Sequence, residues 1–218
     1  MKNFIFLIAL ILFSSTVFAQ ENHLNSDSLL QKLIDGNQRF VNGKSIHPDE
    51  SMARVKEIQS AQHPFAIVVS CSDSRVSPEI IFDQGLGDIF SIRTAGNVIG
   101  DLELGSIEYA VEHLHCNLII VLGHENCGAI KAFLEDSGEK HNDHVDKIIE
   151  YLKEEIEEKA VLSKDKHNIP LAVEANIKHG VHLLEHSKPI LEESIEKHHL
   201  TIVGGTYCLS TGKVKFQE

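Results

Sequence analysis

The chain has 218 residues, and its 20 Lys and Arg against 32 Asp and Glu give a formal net charge of −12 at pH 7. This acidic excess argues against nucleic acid as a partner, because binding phosphates requires a basic surface. The four cysteines are too few for a disulfide scaffold in a chain of this length, although they suffice for a metal site. The length suits one α/β domain with a sizeable core.

The first residues have the pattern of a secretory signal peptide over residues 1–19. Lys2 is the only charge before Ala19, an apolar run FIFLIALILF follows it, and small residues precede the expected cut after Ala19. A membrane anchor is the alternative, but the apolar stretch is only marginally long enough to span a bilayer. Cleavage would leave residues 20–218 as one mature domain that is periplasmic or secreted, without stable membrane association, in an oxidising compartment.

The rest of the chain alternates between segments with helical spacing of apolar residues and short apolar runs typical of strands. The patterns predict helices over 28–41 and 52–60, strands over 65–69 and 88–93, a helix over 102–113, a strand over 118–122, helices over 127–134, 145–159 and 172–186, a strand over 200–203 and a short edge strand over 213–216. Such alternation indicates a mainly parallel sheet covered by helices. We therefore expect a single-domain α/β fold with about four parallel strands and an antiparallel edge strand.

Cysteine and histidine residues follow two of the predicted strands. Cys71 comes after the first strand, while His124 and Cys127 follow the third strand, three residues apart at the start of a helix. In open α/β sheets ligands bind beyond the carboxyl ends of strands, and thiolate and imidazole are preferred zinc donors. Three protein ligands with an open fourth position are typical of catalytic zinc. The spacing therefore predicts a zinc site, with a Cys71–Cys127 disulfide or isolated core cysteines as the alternatives.

Asp73 and Arg75 follow the first of these cysteines on a predicted turn. The Asp73 carboxylate could bind the metal, accept a proton from water on the metal, or pair with Arg75, which would lower the pKa of Asp73. A local turn with an incidental surface ion pair is the alternative. Cys116 and Cys208 belong to no motif, and their apolar flanks favour buried thiols over a disulfide.

Three motifs in the chain resemble those of the beta-class carbonic anhydrases. They are CSDSR at 71–75, RTAGN at 93–97 and GHENCGA at 123–129. The likeness extends from GNQRF at 36–40 to LSTGKV at 209–214, and so covers essentially the whole mature chain. It implies a zinc enzyme whose substrates are CO2 and bicarbonate. It also implies a homodimer or dimer-based tetramer, with N-terminal helices packed on a partner subunit and the cleft at the interface.

The resemblance assigns roles to the motif residues. In this family Zn²⁺ is bound by the residues that match Cys71, His124 and Cys127. The residue matching Asp73 is a fourth ligand in a closed state, or pairs with the match of Arg75 in an open state. These roles are what the likeness implies for this chain.

The likeness also extends to residues of the substrate cleft. Gln62, Phe90 and Tyr109 match the residues that line this cleft in the plant-like subgroup. The other subgroup has a Trp three residues before the first zinc cysteine, where this chain has Val68, and the chain contains no Trp. The resemblance therefore implies the constitutively open subgroup.

We expect zinc-dependent reversible hydration of CO2 to bicarbonate and a proton by zinc-bound hydroxide, which Asp73 and Arg75 would orient. Gln62 would donate to a substrate oxygen, while Phe90 and Tyr109 would form an apolar slot for CO2. Hydrolysis of CS2 or COS on the same scaffold is the alternative activity. A non-catalytic zinc-binding protein is the third reading, although such a protein would have no need of the Asp73–Arg75 pair.

Overall fold

The computed structural model of the chain describes residues 26–138, 143–155, 157, 159, 167–197 and 199–217. The signal peptide expected over 1–19 lies outside these residues, so it stays a prediction. Within the described ranges, no helix is both long enough and apolar enough to cross a membrane.

Five strands form one sheet at the centre of the fold. They are β1 (Ala66–Cys71), β2 (Ile89–Thr94), β3 (Leu118–His124), β4 (Thr201–Tyr207) and β5 (Val214–Phe216). Their order across the sheet is β2-β1-β3-β4-β5. The first four strands are parallel, and β5 pairs antiparallel with β4. The expected parallel sheet with an antiparallel edge strand is therefore confirmed.

Helices surround this sheet at most of the predicted positions. They are α1 (Ser26–Val41), α2 (Met52–Glu57), α3 (Pro78–Ile81), α4 (Asp101–Glu112), α5 (Gly128–Glu135), α6 (His144–Glu154), α7 (Ile169–Glu185) and α8 (Ile190–Glu196), with a 3₁₀ turn at Ala95–Asn97. The sequence patterns did not predict α3 and α8. These helices have four and seven residues, which is too short for helical periodicity to show.

The core is divided between the two faces of the sheet. Ile67 and Val69 of β1 belong to one buried cluster, which also contains apolar residues of α4, α5 and α7. Ala66 and Val68 belong to the other cluster, together with Leu29 and other residues of α1 and α3. Because successive side chains of a strand point to opposite faces, a strand covered on both faces must be apolar throughout. This explains the unbroken apolar run in β1.

Asp83 fixes the segment that follows α1. Its side chain is 1% exposed and pairs with Arg39. Its carboxylate also accepts hydrogen bonds from the backbone N–H groups of Ile46 and His47, at 3.1 and 3.0 Å. Burial raises the pKa of Asp83, but the hydrogen bonds from Arg39 and the two backbone N–H groups outweigh burial and leave the pKa below its ordinary value.

We predict that Asp83→Ala lowers the free energy of unfolding by about 3 kcal/mol, because Arg39 and two backbone N–H groups lose a buried acceptor. Urea unfolding at pH 7 measures this difference, and Asp35→Ala, an exposed change on α1, is the control. Folding lowers the pKa of Asp83. Its contribution to the free energy of unfolding is therefore complete above the unfolded pKa of about 3.9, and it is lost as the pH falls through the folded pKa. An Asp83→Ala protein as stable as wild type at pH 7 would contradict this role.

Candidate metal centre

Cys71, His124 and Cys127 come together at the carboxyl edge of the sheet. One ligand atom from each lies within 4.8 Å of the other two, and all three residues are buried. Cys71 ends β1 and His124 ends β3, and these two strands are neighbours in the sheet. Asn126 has a φ of 55°, in the left-handed region that asparagine tolerates, and the turn places Cys127 at the N-cap of α5. The predicted ligand set is thus assembled from two strand ends and one helix start.

The two nitrogens of His124 have different surroundings. Nδ1 lies 2.9 Å from the carbonyl oxygen of Glu125, an acceptor that keeps the proton on Nδ1. Nε2 is buried and has no hydrogen-bond partner in the part of the chain that the structure describes. A buried acceptor without a partner costs free energy, and a metal ion beside two thiols would supply its partner. The residues therefore fit a zinc ion.

The two thiols of the cluster differ in acidity. Contact with the Cys127 thiol lowers the pKa of the Cys71 thiol, against the effect of burial. The N–H groups of Gly96 and Asp73 assist, at 3.3 and 3.4 Å from that sulfur. The same thiol–thiol contact raises the pKa of Cys127, and burial adds to this effect. Zinc binds cysteine as thiolate, so binding at this site would displace the protons that the two thiols still carry.

All four cysteines lie within the described ranges, and all are free. The structure therefore contradicts the alternative of a Cys71–Cys127 disulfide. Cys116 is buried, its thiol donates to the Pro64 carbonyl at 3.2 Å, and burial raises its pKa to about 12. Cys208 is only partly buried. The expectation of a buried thiol is thus confirmed for Cys116 and wrong for Cys208, because β4 ends at Tyr207 and Cys208 begins a surface turn.

Asp73 and Arg75 form a bidentate ion pair beside the cluster. Arg75 Nε lies 2.9 Å from Oδ1 of Asp73, and Arg75 Nη2 lies 2.7 Å from Oδ2. The Arg75 backbone N–H also donates to Oδ1, at 3.0 Å. The Arg75 guanidinium holds the pKa of Asp73 well below its ordinary value. Oδ2 of this carboxylate lies 3.9 Å from Nε2 of His124, at the edge of the metal ligands.

Arg93 also supports the turn that carries Asp73, a role that the sequence did not reveal. Its Nε donates to the Cys71 carbonyl at 3.2 Å, and its Nη2 donates to the Asp73 carbonyl at 2.9 Å. These two hydrogen bonds join the end of β2 to the turn after β1. Arg93 opens the RTAGN motif, which was the available signal, but only the structure connects that motif to the turn.

Gln62, Phe90 and Tyr109 are the residues that the resemblance assigns to a substrate cleft. Gln62 is exposed before β1, and Phe90 is partly buried in β2. Tyr109 on α4 is 47% exposed, and its ring centroid is 5.1 Å from that of His113. No hydrogen bond, ion pair or ring contact among the described residues joins these three side chains to the cluster. Their place in a substrate cleft stays a prediction.

We predict that Cys71→Ser or His124→Ala abolishes stoichiometric zinc binding, because each removes one of three ligands. Zinc content per chain after dialysis, measured by atomic emission, tests this expectation. Cys208→Ser is the matched control, since this half-exposed cysteine is outside the cluster, and it should retain zinc. Full zinc occupancy in the Cys71→Ser protein would contradict the assignment.

Comparison with known proteins finds relatives over most of this chain. The model of the family described as Carbonic anhydrase matches residues 66–214. The carbonic anhydrase of Mycolicibacterium smegmatis is 42% identical over 190 residues, which cover 85% of this chain and 90% of that protein. Carbonic anhydrase 2 of Mycobacterium tuberculosis is 39% identical over 191 residues, with coverage of 85% and 90%.

Solved structures show the same similarity. The beta-carbonic anhydrase CcaA aligns with a TM-score of 0.69 and 32% identity over 88% of both chains. The Coccomyxa beta-carbonic anhydrase in complex with acetazolamide aligns with a TM-score of 0.66 and 26% identity, covering 88% of this chain and 86% of that one. The family model, the shared fold and these identities over most of each chain lead to one conclusion: the chain belongs to the beta-class carbonic anhydrases.

Proposed function

We propose that the chain catalyses the reversible hydration of CO2 to bicarbonate and a proton. The observation that carries this proposal is the buried cluster of Cys71, His124 and Cys127 with the Asp73–Arg75 ion pair at its edge. A purely structural metal site needs no ionised carboxylate held beside it by an arginine. The similarity to proteins named carbonic anhydrase supports the same reaction.

Zinc is the ion that we propose for this site. Cys71, His124 and Cys127 would hold it through two sulfur atoms and Nε2 of the imidazole, a donor set that zinc prefers. A zinc ion with an open position lowers the pKa of bound water to about 7 and so supplies a nucleophile at neutral pH. The carbonyl of Glu125, by accepting from Nδ1, keeps Nε2 available as the ligand.

Asp73 would orient the attacking water. Arg75 holds the pKa of Asp73 well below its ordinary value, so both carboxylate oxygens are acceptors at neutral pH. Oδ2 accepts one hydrogen bond from Arg75 and lies 3.9 Å from Nε2 of His124, so it retains a lone pair near the metal ligands. A hydrogen bond from water to this oxygen would direct the water lone pair toward CO2.

The pairing of Asp73 with Arg75 also supports the plant-like, constitutively open subgroup. In a closed state the carboxylate would leave Arg75 and take the fourth ligand position. Val68, where the switching subgroup has Trp, is fully buried in β1, so a bulky indole has no room at this position without repacking.

A partner subunit would complete the substrate cleft with Gln62, Phe90 and Tyr109. We propose a homodimer, or a tetramer built from dimers. Because α1 buries Leu29 and Leu33 in the core of its own chain, only the outer face of α1 and α2 would pack on the partner. Large apolar side chains that this chain leaves uncovered support such an interface, because a second copy would remove them from water: Leu102 is 83% exposed and Ile80 is 60% exposed.

We predict that Asp73→Ala and Arg75→Ala retain zinc but lower kcat/KM for CO2 by about 100-fold, because the water is no longer oriented. Stopped-flow hydration of CO2, with zinc content measured on the same samples, tests both variants. Asp35→Asn, an exposed change on α1, should keep full activity. Full hydration activity in a zinc-loaded Asp73→Ala protein would contradict the assigned role.

We also propose that the enzyme is exported to the periplasm or secreted after cleavage behind Ala19. The apolar run before this residue supports the proposal. Terminal sequencing of the protein from a cell that exports it should begin at Gln20. Recovery of a protein that still begins at Met1 in the cytoplasm would contradict export.

A further inference from the structure

Arg93, near the end of β2, holds the main chain of the turn that carries Asp73. Its Nε donates to the Cys71 carbonyl at 3.2 Å, and its Nη2 donates to the Asp73 carbonyl at 2.9 Å. One planar guanidinium therefore spans two carbonyl groups that are two residues apart. Hydrogen bonds from a charged donor are stronger than those between neutral groups, so these two restrict the rotation of the peptide units around Asp73.

The guanidinium of Arg93 begins where the backbone ladder between β1 and β2 ends. Cys71 pairs with Thr94 in the parallel register of these strands. The N–H group of Ser72 makes one further bond, to the Thr94 carbonyl at 2.9 Å. Asp73 is the next residue, and its carbonyl is joined to β2 by the Arg93 side chain instead of by the backbone. Arg93 thus extends the hold of the sheet to the residue beside the metal ligands.

Two arginines hold Asp73 at different atoms. Arg75 binds the carboxylate, through Nε at 2.9 Å and Nη2 at 2.7 Å. Arg93 binds the main chain alone. In the ranges that the structure describes, Arg93 makes no ion pair with a carboxylate, so its donors are not divided between the turn and an acidic side chain. The two arginines therefore have separate tasks.

The position of the Asp73 carboxylate depends on this hold on the main chain. An aspartate side chain is short, with two rotatable bonds, so its oxygens move with its backbone. Oδ2 of Asp73 lies 3.9 Å from Nε2 of His124, at the edge of the metal ligands. Misplacement of a group by about 1 Å can lower a reaction rate about 100-fold, and a shift of the turn would displace Oδ2 directly.

We propose that Arg93 is a positioning residue for the hydration of CO2, because it fixes the main chain of the turn and, through it, the Asp73 carboxylate. This inference rests on the proposed function, to which it adds a residue. The hydrogen bonds of Arg93 reach neither the carboxylate nor the side chains of the metal ligands. An effect that passes through Asp73 must disappear in a protein without that side chain, whereas a general loss of stability would not.

A double-mutant cycle on the zinc-loaded protein measures this dependence by stopped-flow hydration of CO2. We expect Arg93→Ala to retain zinc and to lower kcat by about 10-fold, with KM changed by less than about 2-fold. In an Asp73→Ala protein, the same change at Arg93 should lower kcat by less than about 2-fold. Arg93→Lys keeps the positive charge but cannot span two carbonyl groups, so it should lower kcat nearly as far as Arg93→Ala.

Lys159→Ala is the matched control for the cycle. It removes an exposed cation that also donates to a backbone carbonyl, that of Glu154 at 2.8 Å, at the end of α6. This control should keep the kcat of wild type. Arg93 is itself exposed, so its replacement leaves no cavity in the core, and circular dichroism would show that each variant folds.

Cobalt in place of zinc gives a second measurement that does not depend on activity, because its visible absorption reports the geometry around the ion. The spectrum of cobalt-loaded Arg93→Ala should differ from that of wild type. In the Asp73→Ala background, loss of Arg93 should leave the spectrum unchanged.

Full kcat in Arg93→Ala or in Arg93→Lys would overturn the positioning role. An equal loss of kcat with and without the Asp73 side chain would also overturn it, because the effect of Arg93 would then be merely structural. If Arg93→Ala does not fold, Arg93→Lys carries the same cycle. A wild-type protein that does not hydrate CO2 would contradict the proposed function, and the cobalt spectra alone would then decide the role of Arg93.

Discussion

The parallel register between β1 and β3 places Ser70 beside Leu122, so the two strands reach the same edge of the sheet together. Cys71 and His124 then follow on adjacent strands, and the turn at Asn126 returns Cys127 to the same point. A slip of one residue in either strand would turn a ligand to the opposite face, because side chains alternate. The cores on both faces of the sheet prevent this slip, and the metal centre therefore depends on them.

Charge balance is the second constraint on this edge of the sheet. Two cysteines and Asp73 place negative charge in a partly buried space, and Arg75 is the cation that pairs with it directly. Arg93 adds hydrogen bonds to two carbonyl groups of the same turn. Thiolates neutralise more of the charge of a zinc ion than imidazoles do, so an oriented acceptor such as Asp73 has more to contribute here than in a site of three histidines.

The strands of the sheet and the three metal ligands could be predicted from the sequence, because both follow from local patterns. Unbroken apolar runs mark strands covered on two faces, and the carboxyl ends of such strands meet. The helix α7 begins at Ile169, three residues before the predicted start, because Asn168 caps it and Pro170 fits its first turn. The short helices α3 and α8 have too few turns to show a period.

Contacts between distant segments were beyond what a pattern can predict. Arg93 reaches the turn after β1 only because β2 lies beside β1. Glu157 contacts His179 and His182 only because the fold brings it beside α7. Cys208 had apolar flanks, yet the end of β4 leaves it half-exposed. The place of Gln62, Phe90 and Tyr109 in a substrate cleft stays a prediction, because we propose that a partner subunit completes that cleft.

The central claim is that the Cys-His-Cys centre, with Asp73 held by Arg75, hydrates CO2. Stopped-flow assays of CO2, COS and CS2 on the same zinc-loaded protein test this claim most directly. We predict rapid, zinc-dependent hydration of CO2, with COS and CS2 as poor substrates. Rapid turnover of CS2 with negligible hydration of CO2 would contradict it.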